Sequence, residues 1–568
     1  MALAAFVAAA GVAAEPPGAS AWSGAIPNDE VLESRGAVIG DVHVVTDDVF
    51  DADDPRENNR IYRLTNRLHR TTRPEVVRRQ LLFAEGDPFS RRILDESERI
   101  LRRNRYLYDA EIRVVGYRHN RVDVEVRTRD VWTLRPGLSI GRSGGVSSTD
   151  AKLQDHNVLG TGASVTLKHT SDVDRDVFMA RYEQENFLGR WLTFKLEYGD
   201  SSDGGTRQLE LARPFYSLDS RWSAGFQYLT DNRIESVYAL GEIVDQFGHR
   251  ERRIEVNGGM SPGLVGGRSR RWIAGLTYEE HHFTSLSGPF RPPSEESSSD
   301  GRVPQRERPR RFPGGPKSGD ATVDLPADRT LAFPWIGFES VGDDYAEAHL
   351  LDQIGRTEDV ALGFHYRVRL GYAAQAFGAS HDAAIADGRL SAGFRFGERQ
   401  WLLLAAAAGG RWGKAGGENV RLGGNARYYW RNFGPHLFFA RVEFDAVDEL
   451  DPEDQLLLGG DSGLRGYPLR YQDGEQRLLV SLEQRFFTDF YPLRLFYVSA
   501  AVFVDLGRTW GEGRTPDLGL LRDAGFGLRL SSSRSGLGSV VHFDVAFPLD
   551  GDDSIERVQW LVSTKKSF

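Results

Sequence analysis

Leu464-Arg465-Gly466-Tyr467 sits in a long connection that opens with Gly459-Gly460-Asp461, and two alternating segments follow it, 478–485 (LLVSLEQR) and 502–507 (VFVDLG). Successive side chains of a β-strand point to opposite faces of its sheet. In the first segment Leu478, Val480 and Leu482 share one face, and Ser481, Glu483 and Arg485 share the other. In the second, Val502 and Val504 oppose Phe503 and Asp505. With the apolar faces toward lipid, Glu483 and Asp505 both point into an enclosed interior. Arg465 can then pair with both, because a planar guanidinium fork suits carboxylates better than a lysine does. Gly466 beside it lets the loop turn closely in a crowded space.

The alternation continues outward in both directions. It recurs at 164–168, 178–183, 191–197, 222–228, 272–278, 360–370, 390–396, 437–444, 496–506 and 540–547, separated by turns rich in Gly, Asp, Asn and Ser. No convincing amphipathic helix interrupts residues 134–568. Such a run fits a sandwich array or one large barrel, and its length and final strand favour the barrel. On that final strand Val558, Trp560, Val562, Thr564 and the terminal Phe568 share a face, interrupted by Lys566, a residue able to snorkel at an interface. The expected fold is therefore mainly β, a transmembrane antiparallel barrel of about 16 strands. Weaker segments raise the count above sixteen and leave it uneven, so some are expected to be loop hairpins or split strands.

Composition is compatible with this. The chain has 568 residues, 62 glycines, 11% aromatic residues and only 3 methionines. Its mean hydropathy of −0.42 would suit a soluble protein, yet a barrel strand needs apolar side chains on one face only, so its mean stays low. No run of about 18 apolar residues follows the N-terminus, so no spanning helix is expected. With no cysteine and a net charge of −10, neither a thiolate metal site nor a general attraction to nucleic acid is expected.

Ahead of the barrel, residues 36–129 mix element types in the order β-α-α-β-β. A strand at 37–45 precedes a helix at 74–82 begun by Pro74, the break Gly86-Asp87-Pro88, and a second helix at 90–103 with Ile93, Ser97, Ile100 and Leu101 on one stripe. Strands at 111–116 and 122–127 flank a polar turn at His119-Asn120. Residues 1–14 read as the apolar core of a signal peptide without the usual basic start, and 15–35 as a linker. Residues 285–328, dense in Pro, Ser, Gly and charge, cannot bury a core and read as a disordered loop.

The Arg-Gly-Tyr motif with its spaced Glu483 and Phe503-x-Asp505-x-Gly507 segments resembles the BamA/TamA-type superfamily of outer-membrane protein assembly and translocation, a surface-antigen-type barrel preceded by POTRA domains. In that family an Arg-Gly-aromatic loop tip folds into the lumen, and its arginine meets acidic groups on the next two strands. The aromatic C-terminus at Phe568 is similar to the ends of outer-membrane barrels. The front domain resembles one POTRA domain, with Glu85-Gly86-Asp87-Pro88-Phe89 before its second helix and an insertion at 51–70. The resemblance implies residence in the bacterial outer membrane with the N-terminal domain in the periplasm. Implied partners are client outer-membrane or secreted proteins, membrane lipids and periplasmic accessory proteins. It implies insertion or translocation of clients, with a two-partner-secretion pore exporting one substrate as the alternative. Lateral opening beside a weak first strand at 134–142, containing Pro136, Gly137 and Gly141, would expose a templating edge, and the front domain would offer an edge of its own.

Three other patterns carry less. Gly141-Arg-Ser143-Gly-Gly145 matches a nucleophile-elbow spacing but lacks the strand–turn–helix setting, and no enzyme activity or cofactor is expected. Asp172-x-Asp174-x-Asp176 has calcium-loop spacing, but Val177 stands where glycine is required. His281-His282 has no third ligand near it in sequence, and adjacent strand residues face opposite ways, so no metal site is expected. The arginine-rich stretch at 78–105 reads as a solvated face or a surface for partners or anionic headgroups.

Overall fold

The computed structural model describes residues 26–143, 146–172, 174–286, 325–354, 356–492, 495–532, 540–551 and 555–565. The expected signal peptide, Gly144, nearly all of the 285–328 loop, Lys566 and Phe568 lie outside the described residues.

The front domain runs α1 (Asp29–Ser34), β1 (Val38–Asp47), α2 (Arg60–Leu68), α3 (Pro74–Arg78), α4 (Arg91–Arg102), β2 (Leu107–Arg118) and β3 (Arg121–Asp130). Its sheet has the order β1-β3-β2, with β1 parallel and β2 antiparallel to β3. His119 and Asn120 both take positive φ, the geometry of a two-residue turn whose twist matches its strands. Leu94 and Leu101 of α4, Val77 of α3, and Ile39, Ile112, Val124 and Val126 of the sheet form one core.

Three details differ from the sequence expectation. The first predicted helix stops at Arg78 instead of reaching 82. The stretch expected as linker contains α1, capped by Asn28, whose Leu32 is fully buried in the core. The inserted segment holds α2, and Tyr62 stacks on Phe50 at 4.1 Å between ring centroids. Leu32 anchors α1 to the core, and the Tyr62–Phe50 stack anchors α2.

The domain's edges are also partly closed. Glycine and aspartate of the Gly86-Asp87-Pro88-Phe89 stretch pair with the start of β1, where Gly86 N–H donates to Ile39 and Ile39 N–H to Asp87. On the other edge, Glu98 of α4 accepts the Ile112 N–H at 2.6 Å, and Arg102 and Arg91 donate to the carbonyls of Ala110 and Ile112. Side chains thus cap β2 over Ala110–Ile112, and only its outer half keeps the character of a docking edge.

The remaining long strands form a single antiparallel sheet whose order returns to its start, a closed barrel. Among the described residues it contains twenty strands of seven residues or more, from Leu134–Ser143 to Gln559–Lys565, plus the two-residue rung Leu264–Val265. The expectation of about 16 strands is thus corrected upward. Strands such as Gly204–Arg213, Gln400–Gly413 and Gly416–Trp430 are full ladder members. The Ala- and Gly-rich run of Gln400–Gly413 carries no clear alternation, so its neighbours' hydrogen bonds identify it where the sequence does not. The even number brings the last strand to end on the same side as the front domain.

Strand Gly363–Ala373 displays the barrel's two-sidedness. Phe364, Tyr366, Val368, Leu370 and Tyr372 are all exposed on its outer face, whereas Arg369 turns inward to pair with Asp387 at 2.5 Å. In water such an outer surface would drive aggregation; in lipid it is the solvated face of a membrane barrel.

The front domain docks on the connections at one end of the barrel. Arg92 meets Asp219 at 2.6 Å, Glu96 accepts the Leu218 N–H, and Arg102 grips Asp359 at 2.7 and 3.0 Å with Glu347 alongside. Asp359 and Glu347 belong to a small hairpin, Tyr345–Ala348 with Glu358–Ala361. The tip of that hairpin enters the lumen, where Asp352 accepts from Tyr429 and the Leu351 carbonyl accepts from Arg485.

Burial pushes the Glu98 carboxyl up to about 7, against the Ile112 N–H and the Arg102 and Arg91 guanidinium groups, which favour the charged form. A folded-state value above the unfolded one means the native domain holds the extra proton, so its stability falls as pH rises from about 4.5 to 7. Amide protection at Ile112, corrected for intrinsic exchange, should decline across that window. In Glu98→Gln, which keeps an acceptor for the amide, it should be flat; a parallel decline in the variant would contradict this account.

Candidate functional site

The connection 449–475 joins strands Leu437–Asp448 and Gln476–Phe487 at the end opposite the front domain, and it folds back into the barrel. A two-rung ladder between Leu457–Leu458 and Gln472–Asp473 closes its neck. Leu458, Leu464, Tyr467, Tyr471, Leu479, Leu521 and Ile555 form an apolar cluster that holds it down. On the far side of the lumen, Arg470 pairs with Asp174 at 2.7 and 2.8 Å and stacks over Tyr238. The acidic turn at 172–176 is therefore an anchor for this loop: Asp172 accepts the Asp174 and Arg175 N–H groups, and Asp174 faces Arg470.

Arg465 lies at the centre, 4% exposed. Its Nε and Nη2 donate to the two oxygens of Asp505 at 2.6 and 2.9 Å, and its Nη1 donates to Glu483 at 2.9 Å. The guanidinium also lies over the Phe503 ring at 3.4 Å from its centroid. The inward parity of Glu483, Phe503 and Asp505 is what brings them together, and Leu482, Val502 and Val504 are exposed on the outer face. Gly466 N–H donates to Asp523 at 2.9 Å, and a Cβ there would stand 2.6 Å from the Asp523 Cβ, so only glycine fits. Tyr467 OH donates to the carbonyls of Arg522 and Asp550, and Leu464 is fully buried.

Sequence reasoning missed Asp523, Asp544 and Arg529. Asp523 stands directly across the ladder from Asp505, a like-charge pair that would repel without a cation above it. Asp544 lies 3.8 Å from Arg465 and pairs with buried Arg529 at 2.5 Å. Inward parity within the segment 540–547, already read as a strand, marks Asp544, and it would have marked Asp523 once Leu521–Ser532 was read as a strand too. Gly525 opens the space that Phe503 fills, since a Cβ there would come within 2.4 Å of the ring.

The last strand displays Trp560 outward, 61% exposed, with Leu561 buried inside. Among the described residues it meets the first strand through one residue pair, Val562 with Arg142. The first strand pairs its other neighbour over ten residues and the last strand over seven. The serine of the nucleophile-elbow pattern, Ser143, ends that first strand; Gly144 and Gly145 lie outside the described residues.

His281 and His282 face opposite ways, as adjacent strand residues do. His282 is exposed and pairs with Asp328, but His281 turns inward and meets His249 and, at 3.9 Å, Glu453. These come from a neighbouring strand and from the inward loop, 32 and 172 positions away, beyond any local pattern.

Removing Arg465 leaves buried carboxylates unpaired, at roughly 3–5 kcal/mol where they are desolvated. Arg465→Ala should therefore lower the temperature at which the refolded barrel loses its heat-modifiable gel mobility, and Arg465→Lys should restore only part of it. In double-mutant cycles the coupling of Arg465 to Asp505, a two-bond contact, should exceed its coupling to Glu483, which Arg485 also contacts at 3.2 Å. Additive effects at both positions would remove the loop's claim to be held by this ion cluster.

No family model matches this sequence, and no curated protein matches it. Among solved structures the chain is similar to BamA from Haemophilus ducreyi lacking POTRA domains 1–3, at 15% identity and a TM-score of 0.37, covering 92% of this chain and 85% of that one. It is also similar to CdiB from Acinetobacter baumannii, at 11% identity and a TM-score of 0.41, covering 93% and 73% of the two chains. For CdiB from Escherichia coli the values are 14% and 0.39, covering 92% and 76%.

Proposed function

We propose that this protein is an outer-membrane barrel of the BamA/TamA-type superfamily that inserts client β-barrel proteins through a lateral opening between its first and last strands. The front domain lies on the periplasmic side and the 449–475 loop enters the lumen from outside the cell. The observation that carries this reading is the seam. Among the described residues the junction registers one pair where its neighbours register ten and seven, and each intramolecular hydrogen bond contributes only about 0.5–1.5 kcal/mol net. Pro136 and Gly137 weaken the first strand, since proline donates no ladder bond. An opened seam leaves two strand edges whose N–H and C=O groups an incoming strand can satisfy. The work is templating and not bond chemistry.

Export of a dedicated substrate through the lumen is the second reading. Against it stand two plugs, the arginine loop at one end and the 345–361 hairpin at the other, both of which would have to leave.

The chain has no cysteine, so introduced pairs are unique. Oxidising Arg142→Cys with Val562→Cys should lock the seam and stop insertion of a radiolabelled barrel client into proteoliposomes, with recovery on reduction. A control lock within the wall, Val442→Cys with Val480→Cys, should leave insertion intact. Undiminished insertion with a fully oxidised seam would defeat lateral opening and favour the lumenal route.

A further inference from the structure

Two buried imidazoles face each other near the outer end of the lumen. His249 is on strand Glu242–Met260 and His281 on its neighbour Arg268–Ser285, diagonal across the ladder on the inward face. His249 Nε2 lies 3.0 Å from His281 Nδ1. Each ring's other nitrogen is already committed to a carboxylate: His249 Nδ1 to Glu235 at 3.0 Å, and His281 Nε2 to Glu279 at 2.8 Å. A carboxylate partner fixes the proton on the nitrogen it faces. The two facing nitrogens are then both lone-pair acceptors, and their contact is repulsive unless something positive lies between them. Glu453, from the loop that carries Arg465, completes the group. Its Oε1 is 3.9 Å from His281 Nδ1 and bonded to Arg329, while its Oε2 is buried without a partner. The Glu453 side chain is 7% exposed, and a ligand atom from each of the three residues lies within 4.8 Å of the others.

We propose that His249, His281 and Glu453 form a binding site for a divalent transition-metal ion, Zn2+ by the chemistry of its donors, with a fourth position left for water. Two imidazole nitrogens and one carboxylate oxygen are the set that zinc takes in open tetrahedral sites. Nitrogens each about 2.0–2.1 Å from a tetrahedral zinc stand about 3.3 Å apart, so the rings need to part by only a few tenths of an ångström. Glu235 and Glu279 supply the carboxylate–histidine support that such sites use. The ion would tie the inward loop to the barrel wall at Glu453, twelve residues before Arg465. His249 stacks on Phe283 at 4.6 Å, which fixes its ring from the other side.

Cobalt(II) is the probe. The full chain, refolded in detergent and stripped with chelator, should bind one Co2+ with the visible absorption of a low-coordinate site, and Zn2+ should displace it. His249→Ala and His281→Ala should each weaken binding at least tenfold, and Glu235→Gln by about 10–100-fold, the usual loss for a supporting carboxylate. His282→Ala, one residue away on the opposite face, should bind like the parent. Heat-modifiable mobility checks that each variant has folded, and Glu453→Gln replaces any histidine variant that has not. Absence of Co2+ uptake by the parent overturns the proposal whatever the variants do, and leaves the two imidazoles as a contact within the barrel wall. Equal uptake by parent, His249→Ala and His281→Ala overturns it as well.

Discussion

Within a bilayer no water is at hand for an unpaired N–H or C=O, so a membrane-spanning sheet must satisfy its backbone internally and close on itself. Nearly every feature of this molecule follows from that demand. Side chains must alternate between lipid and lumen along each strand, which places Phe364, Tyr366, Val368, Leu370 and Tyr372 outside and Arg369 inside. The strand number must be even if both ends of the sheet are to lie at the front domain's side, and it is. Among the described residues the sheet closes through the pairing of Val562 with Arg142.

A lumen lined by charge needs its own accounting. Asp505 and Asp523 face each other across a ladder and Glu483 and Asp544 stand near; Arg465 enters from above to satisfy several of them at once. Because that arginine is delivered by a loop, the ion cluster also decides where the loop sits. The loop in turn reaches Asp174 on the opposite wall, and the hairpin at the other end reaches Arg485, which contacts Glu483. The chain of contacts Arg102, hairpin, Arg485, Glu483, Arg465 therefore runs from the front domain to the inward loop through packed, charged side chains.

The sequence by itself determined the class of fold and the core of the site. Period-2 alternation is a local property, so the parity of Glu483 and Asp505 is readable without knowing which strands are neighbours, and Arg465-Gly466 marks a loop that must fit among them. The front domain's three strands and its helices at Pro74–Arg78 and Arg91–Arg102 were legible for the same reason, since a helical stripe and a strand each repeat within a few residues, while α1 and α2 were not.

Tertiary structure alone decided the strand number, the edges and the long-range clusters. Gly- and Ala-rich strands such as Gln400–Gly413 have no contrast between their faces, so only hydrogen bonding to neighbours counts them. The front domain's edges look open in sequence because the caps on β2 come from side chains of α4. His249, His281 and Glu453 meet because strand register and an inward loop bring together residues up to 204 positions apart, and proximity set by closure of a barrel leaves no trace in local pattern.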